Sequence, residues 1–193
     1  PSEEASGITF DTGKFLYGYN FTRGIESIRE KETILRDIDI AIYAGFSPPD
    51  YLFPLIEKSI PENTRTVLFS SGKPILLTGE PLPENITYAE ILTRTKIVMT
   101  HFGITMFEAD ICGCKIAALN PTPYHTALTS AVARKMQIIH SAEYDTFDPV
   151  LMSDDLISSL KRNTDTNRSV NNILEKTNSG RENFTQYIYK IIM

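Results

Sequence analysis

Two short segments combine glycine with polar side chains directly after an apolar, β-branched run. The first is Ala44-Gly-Phe-Ser47, after the run that begins at Ile38, and the second is His101-Phe-Gly-Ile-Thr105, after the run that begins at Lys96. Glycine lets a ligand approach the backbone closely, and the first amides of a helix bind phosphate groups. Both segments therefore predict one anion-binding site. The residues expected to contact the ligand are Gly45, Ser47, Gly103, Ile104 and Thr105.

Three titratable side chains are candidates for the same site. Glu108 lies one turn into the predicted helix, where it accepts hydrogen bonds from ribose hydroxyls or, alternatively, belongs to the solvated face. His101 and His125 are candidate catalytic residues, since imidazole titrates near neutral pH. The alternatives are a polar helix cap for His101 and a surface position for His125. No other residue is predicted to be catalytic.

The elements that must position these residues alternate between strands and helices. Strands are predicted over residues 38–44, 65–69, 74–78, 96–100, 115–119 and 137–140. Helices are predicted over residues 25–35, 50–59, 103–112 and 124–134, with a further one that begins after Thr87. Gly113 is expected to end the fourth helix in chain order. This alternation predicts an α/β fold, a doubly wound three-layer Rossmann-like domain with a mainly parallel sheet.

The 193 residues divide into three predicted segments. Residues 1–36 form a lead-in, residues 37–150 hold the strands and helices of the sheet domain, and residues 151–193 form a helical C-terminal extension. Because ligands bind where parallel strands end, the candidate side chains should meet at one edge of the sheet in the middle segment.

Charge and composition exclude several classes of function. A net charge of −5 and a pI near 5.3 argue against binding nucleic acid through a broad basic face. Cys112 and Cys114 have no partners at a zinc-ligand spacing, so we expect buried thiols, no metal and no cofactor. No run of roughly 18 apolar residues occurs, and the first residues do not resemble a signal peptide. We therefore expect no transmembrane segment and a cytoplasmic location.

The segment from Ile97 to Leu119 resembles the nucleotide-binding signature of GT-B glycosyltransferases. It is most similar to the branch of the peptidoglycan UDP-N-acetylglucosamine transferase and the pseudaminic acid UDP-sugar hydrolase. Ala44 to Ser47 is similar to the family's glycine-rich turn, and Tyr124-His125 stands where the family often has Asn-Gln. Residues 17–23 resemble the interdomain crossover, so the resemblance covers residues 15–150.

Two departures from the family pattern affect the predicted site. His101-Phe-Gly103 replaces Ser-Gly-Gly, and Phe46 replaces a second glycine. A phenylalanine side chain at either position is expected to narrow the space through which a phosphate approaches the backbone.

The resemblance implies a C-terminal, donor-binding GT-B domain. A UDP-sugar would place its diphosphate or sugar near Gly45 and Ser47, its diphosphate on the amides of residues 103–105, and its ribose on Glu108. His125 would contact the sugar or a phosphate. The acceptor site would come from a missing N-terminal domain or a partner subunit, so the chain is expected to be incomplete alone.

Whether the chain is an enzyme is left open by its sequence. One interpretation is half of a glycosyltransferase, and another is a hydrolase of nucleotide sugars that uses His101 or His125 as its base. The opposing alternative is a non-catalytic binding or interaction protein that retains the fold.

Overall fold

A computed structural model describes residues 19–28, 34–43, 49–69, 75–162 and 170–179. Three predictions lie outside these residues. They are the turn that contains Gly45, Phe46 and Ser47, the lead-in before residue 19, and the end of the predicted helical extension.

Within the described residues, six strands form one sheet. They are β1 (Ile38–Tyr43), β2 (Thr66–Leu68), β3 (Ile75–Thr78), β4 (Thr95–Thr100), β5 (Lys115–Asn120) and β6 (Ile138–Glu143). The order across the sheet is β3-β2-β1-β4-β5-β6. Neighbouring strands are parallel except β2 and β3, which are antiparallel. Six residues connect β2 to β3, which is enough for an antiparallel pair, whereas a parallel pair needs a connection of about a dozen residues or more.

Helices cover both faces of this sheet. They are α1 (Tyr19–Ser27), α2 (Leu52–Ser59), α3 (Tyr88–Arg94), α4 (Ile104–Ile111), α5 (Pro123–Val132) and α6 (Pro149–Lys161), and residues 170–179 are also helical. Leu52 of α2 and Leu156 of α6 pack on one face. The core on the other face takes residues from α1, α3, α4 and α5. The predicted three-layer α/β fold with a mainly parallel sheet is confirmed.

The central strands are buried because helices lie above and below them. Ile38, Ile40, Ile97 and Ile116 have no exposed surface. Each such side chain contributes about 1.5–3 kcal/mol by leaving water. This explains why β1, β4 and β5 have continuous apolar runs rather than alternating patterns.

Two predicted helix ends are confirmed. Thr87 caps α3 through a capping box, in which its side chain accepts from the Glu90 amide and the Glu90 side chain accepts from the Thr87 amide. Gly113 follows α4 with a φ of 79°, a left-handed conformation that glycine adopts without a steric penalty.

The helix predicted over residues 25–35 is wrong in position. It runs over Tyr19–Ser27, whereas Leu35 lies outside any helix and is 76% exposed. Gly24 lies inside α1 although glycine disfavours helices by about 1 kcal/mol. A Cβ at Gly24 would lie 2.6 Å from Cβ of Ala89 in α3, so the close packing of the two helices requires glycine there.

All three predicted segments contribute side chains to the core. Phe21 precedes residue 37, Met152 follows residue 150, and Ile173 belongs to the helical residues 170–179, yet each is at most 2% exposed. The segment boundaries themselves remain a prediction. Cys112 and Cys114 are buried thiols, which confirms their expected state.

Membrane-spanning helices and metal-binding clusters are both absent from the described residues. None of the helices there is long and apolar enough to cross a membrane. In the same parts of the chain, no three His, Cys, Asp or Glu side chains are arranged to hold a metal ion.

Candidate functional site

The candidate site lies where the strand order of the sheet reverses. From β1 the chain moves outward to β2 and β3, then returns to place β4 on the other side of β1. Tyr43 and Thr100, the last residues of β1 and β4, are paired in register. In open parallel sheets, ligands bind in the crevice outside such a switch point. We call the space above Tyr43 and Thr100 the switch-point crevice.

Both predicted anion-binding segments follow these two strands. The segment with Gly45 and Ser47 comes directly after β1, and its contact with a ligand remains a prediction because it lies outside the described residues. The segment with Gly103, Ile104 and Thr105 comes directly after β4 and starts α4. The topology therefore brings the ends of β1 and β4, from which the two segments continue, to one end of the sheet.

The start of α4 is open at Gly103. Its backbone is fully extended, with φ 169° and ψ −173°, and no side chain caps the helix. A Cβ at Gly103 would meet no atom nearer than Nε2 of His101, at 3.6 Å. Ile104 is 45% exposed, whereas Thr105 is buried. An anion can therefore approach the first amides of α4 and lie beside the His101 imidazole.

Asn120 fixes the loop that leads to Gly103. Its Oδ1 accepts from the Phe102 amide at 3.0 Å and from the Thr129 hydroxyl at 3.1 Å, and its Nδ2 donates to the Ser141 hydroxyl at 3.5 Å. Asn120 has no exposed surface. The sequence predicted only that the segment from Asn120 to His125, which follows a strand, can add side chains to the site. It did not predict these hydrogen bonds, although a polar residue at the end of an apolar strand was the available signal.

Phe102 lies half-buried within this loop. Its ring contacts Phe107 edge to face, with 5.7 Å between the ring centroids, and packs against the core under α4. The Phe102 side chain is therefore anchored to the interior.

His101 and His125 lie close together although 24 positions separate them. Their ring centroids are 6.3 Å apart, and the His101 ring also stacks on Tyr43 at 6.1 Å. Nδ1 of His125 lies 2.8 Å from the hydroxyl of Thr122, the N-cap of α5. The N-cap of α4 is Gly103 and not His101, so the alternative of a polar helix cap is wrong.

Burial controls the titration of His101. Loss of hydration lowers the pKa of His101 below 6.5, and the nearby His125 lowers it further. Nδ1 of His101 is buried and has no hydrogen-bond partner. At neutral pH the ring is therefore uncharged, and it can accept a proton when an anion compensates the charge.

Glu108 lies inside the protein rather than on a solvated face. It is 2% exposed, which makes the solvated-face alternative wrong. The hydroxyl of Tyr88 donates to Oε2 of Glu108 at 2.6 Å and lies 3.2 Å from the Thr105 hydroxyl. Burial and the Glu108 charge raise the pKa of Tyr88 far above its usual range, so the phenol remains a donor at all physiological pH values. Sequence reasoning placed Tyr88 on a helix and missed this contact.

Tyr43 is the other aromatic residue missed at this site. Burial and the Glu108 carboxylate raise its pKa, which indicates that Glu108 lies near the end of β1. Tyr43 also stacks on Phe69 at 5.4 Å. The signal available in the sequence was its position as the last residue of a buried strand.

Below the crevice, on the side of α2, lies a cavity of about 10 Å³. Its lining includes Tyr43, Leu52, Thr100 and Tyr144, and the Thr100 hydroxyl there has no hydrogen-bond partner. The volume is about that of one water molecule. A ligand larger than a water molecule would therefore not fit in this cavity.

No family model and no curated protein sequence matches the chain. Among solved structures, the chain is similar to the glycotransferase of kitacinnamycin, with a TM-score of 0.50, 14% identity, and coverage of 81% of this chain and 43% of that one. The spinosyn forosaminyltransferase has a TM-score of 0.49 and 15% identity over 86% of this chain and 46% of its own. An Arabidopsis thaliana protein complexed with UDP-L-rhamnose has a TM-score of 0.49 and 11% identity, and the match covers 86% of this chain and 45% of that one.

The chain therefore spans less than half the length of these solved structures. At 14% identity, the first likeness shows a shared fold. The described residues form a Rossmann-like α/β domain of the type found in GT-B glycosyltransferases.

Proposed function

We propose that this chain is the nucleotide-sugar-binding part of a glycosyltransferase-like enzyme, and that its ligand is a UDP-sugar. The observation that carries the proposal is the open start of α4 at the switch point, beside the His101 imidazole, whose Nε2 is the ring atom nearest to Gly103. Amides at a helix start and an imidazole that can take up a proton are both suited to a diphosphate.

Each predicted contact has a place in this proposal. The amides of Gly103, Ile104 and Thr105 bind the diphosphate, and Glu108 binds the ribose. Gly45 and Ser47 approach the diphosphate or the sugar from the end of β1. His125, beside His101, contacts the sugar or a phosphate.

The chemistry available to the chain is stabilisation of the departing diphosphate. Negative charge grows on the diphosphate as the bond to the sugar breaks, and helix amides together with a protonated His101 would stabilise that charge. Sugar transfer also needs an activated acceptor hydroxyl and a general base. We propose that another domain or a partner subunit supplies the acceptor site, in line with the length of the chain relative to the solved structures.

Titration calorimetry with UDP and UDP-sugars tests the proposal, and Gly103→Asp is the sharpest variant. Its carboxylate would stand at the start of α4 and repel the diphosphate, while aspartate is a favourable N-cap residue. We expect Gly103→Asp to lower the affinity at least tenfold without lowering the melting temperature. Gly103→Asn is the matched neutral control and should bind more tightly than Gly103→Asp.

Absence of binding at millimolar UDP and UDP-sugar, with the wild-type chain folded, would overturn the proposal and favour a non-catalytic interaction protein. Release of free sugar by the chain alone would instead favour the hydrolase alternative. No contact described above favours either alternative.

A further inference from the structure

We propose that Tyr88 competes with the ribose of the nucleotide for Glu108 and so limits the affinity of this site for ribonucleotides, because its hydroxyl occupies the position on Glu108 that a ribose hydroxyl would take. The inference rests on the proposed function. A ribonucleotide must then displace the phenol, and a nucleotide without ribose hydroxyls gains nothing by doing so.

The Tyr88 contact covers the carboxylate that the nucleotide needs. The phenol lies 2.6 Å from Oε2 of Glu108, a short hydrogen bond of the charge-assisted kind. Because only 2% of the Glu108 surface is exposed, a ligand cannot reach the carboxylate through solvent as it stands. A ribose hydroxyl is also a neutral O–H donor, so it can replace the phenol like for like.

Tyr88 stands at the start of α3, next to the start of α4. It follows Thr87, whose capping box fixes the N-terminal start of α3 independently of the phenol. Its hydroxyl also lies 3.2 Å from the side-chain hydroxyl of Thr105 in the first turn of α4, and the Thr105 backbone amide is proposed to bind the diphosphate. The phenol therefore lies between the proposed ribose and diphosphate contacts, and the two parts of one nucleotide would reach it together.

Aromatic contacts hold the Tyr88 ring without help from its hydroxyl. The ring centroid is 5.4 Å from that of Phe69 and 6.3 Å from that of Phe21. A phenylalanine would keep both contacts, so Tyr88→Phe removes the donor and little else. The ligand-free state of this variant loses a hydrogen bond that the ribonucleotide complex would replace.

Calorimetry with UDP and its 2′,3′-dideoxy analogue tests the inference. We expect Tyr88→Phe to bind UDP about tenfold more tightly than the wild type, the scale of one hydrogen bond to a charged group. The affinity for the dideoxy analogue should not change. Tyr51→Phe is the matched control, since Tyr51 donates to Asp145 at 3.0 Å on an exposed surface at the start of α2. It should bind both ligands as the wild type does.

The outcomes separate this inference from the proposed function. If the wild type binds UDP and the folded Tyr88→Phe variant binds it no more tightly, the role of Tyr88 is overturned. That result would not overturn the proposed function. An equal gain for the dideoxy analogue would do the same. No binding of UDP by either protein would overturn the role of Tyr88 together with the proposed function.

Tyrosine fluorescence of the wild type provides a second measurement should Tyr88→Phe fail to fold. The chain has nine tyrosines and no tryptophan, so tyrosine emission is observed directly. A phenol hydrogen-bonded to a carboxylate emits weakly, and its release should raise the emission. Unchanged emission at saturating UDP would contradict displacement of Tyr88.

Discussion

The two ends of the sheet differ in how their polar groups are satisfied. At the amino ends of the strands, Asp37 forms ion pairs with Arg65 and Arg94, and Asp39 pairs with Lys96 at 2.8 Å. Asp37 also accepts from Nε of Arg94 at 2.8 Å. Each of these carboxylates has a cation beside it, so the amino end is electrostatically satisfied.

The carboxyl ends of the strands are organised differently. The Thr100 hydroxyl and Nδ1 of His101 are buried there without hydrogen-bond partners, and the start of α4 has no side-chain cap. Buried polar atoms without partners destabilise a fold by about 1–3 kcal/mol each. The contrast indicates that the amino end stabilises the domain, whereas the carboxyl end leaves polar groups available for the proposed ligand at the expense of stability.

Asp37→Asn is expected to have the largest effect on stability. It leaves Arg65 and Arg94 without their partly buried counter-charge, and should lower the free energy of unfolding by about 2 kcal/mol. UDP affinity should not change, because Asp37 lies at the opposite end of the sheet. Chemical denaturation and calorimetry measure the two quantities, and Asp154→Asn on the exposed side of α6 is the control. Weakened nucleotide binding in a folded Asp37→Asn protein would contradict the proposed division between the two ends.

The pH dependence of the same variant has a definite sign. The hydrogen bond from Arg94 lowers the pKa of Asp37 below 3.8, against the opposing effect of burial. Its stabilising contribution is thus complete above the unfolded-state pKa and is lost as the pH falls through the lower folded-state pKa. Wild type and Asp37→Asn should therefore differ most near neutral pH and converge in acid.

Asn120→Ala is expected to have an intermediate effect at the carboxyl end. It removes the acceptor of the Phe102 amide, so we expect unfolding to become easier by about 1–2 kcal/mol and UDP affinity to fall about fivefold. Ser141→Ala is the matched control, because it removes only the 3.5 Å contact to Nδ2 and leaves the Phe102 amide bonded. Equal affinities of Asn120→Ala and the wild type would show that this loop does not position the ligand.

The smallest expected effect is the response of binding to pH. A bound diphosphate favours the imidazolium form and should raise the pKa of His101, which burial lowers in the free protein. Affinity for a UDP-sugar, whose diphosphate charge is constant in this range, should rise about threefold between pH 8 and pH 6. Calorimetry in buffers of different ionisation enthalpy should detect proton uptake, and His101→Asn should abolish it. Binding without proton uptake would remove His101 from the diphosphate site.

Much of the fold could be predicted because its signals are local. The apolar runs of β1 and β4 and the capping box at Thr87 are each contained in a few consecutive residues. The position of α1 could not be predicted, because the close approach of Gly24 to Ala89 depends on another helix. Within the site, His101 and Glu108 were identifiable by residue type and by their place after a strand.

Chain order and residue type were sufficient to predict the alternation of strands and helices, the α/β class and the segment that starts α4. Each of these features depends on residues that are neighbours in the sequence. The strand order, the pairing of Tyr43 with Thr100 and the contact of Tyr88 with Glu108 were decided by packing. Tyr88 and Glu108 are 20 positions apart, and Asn120 is 18 from Phe102. Such contacts form only when burial of both faces of the sheet brings separate helices together, and no local pattern records that geometry.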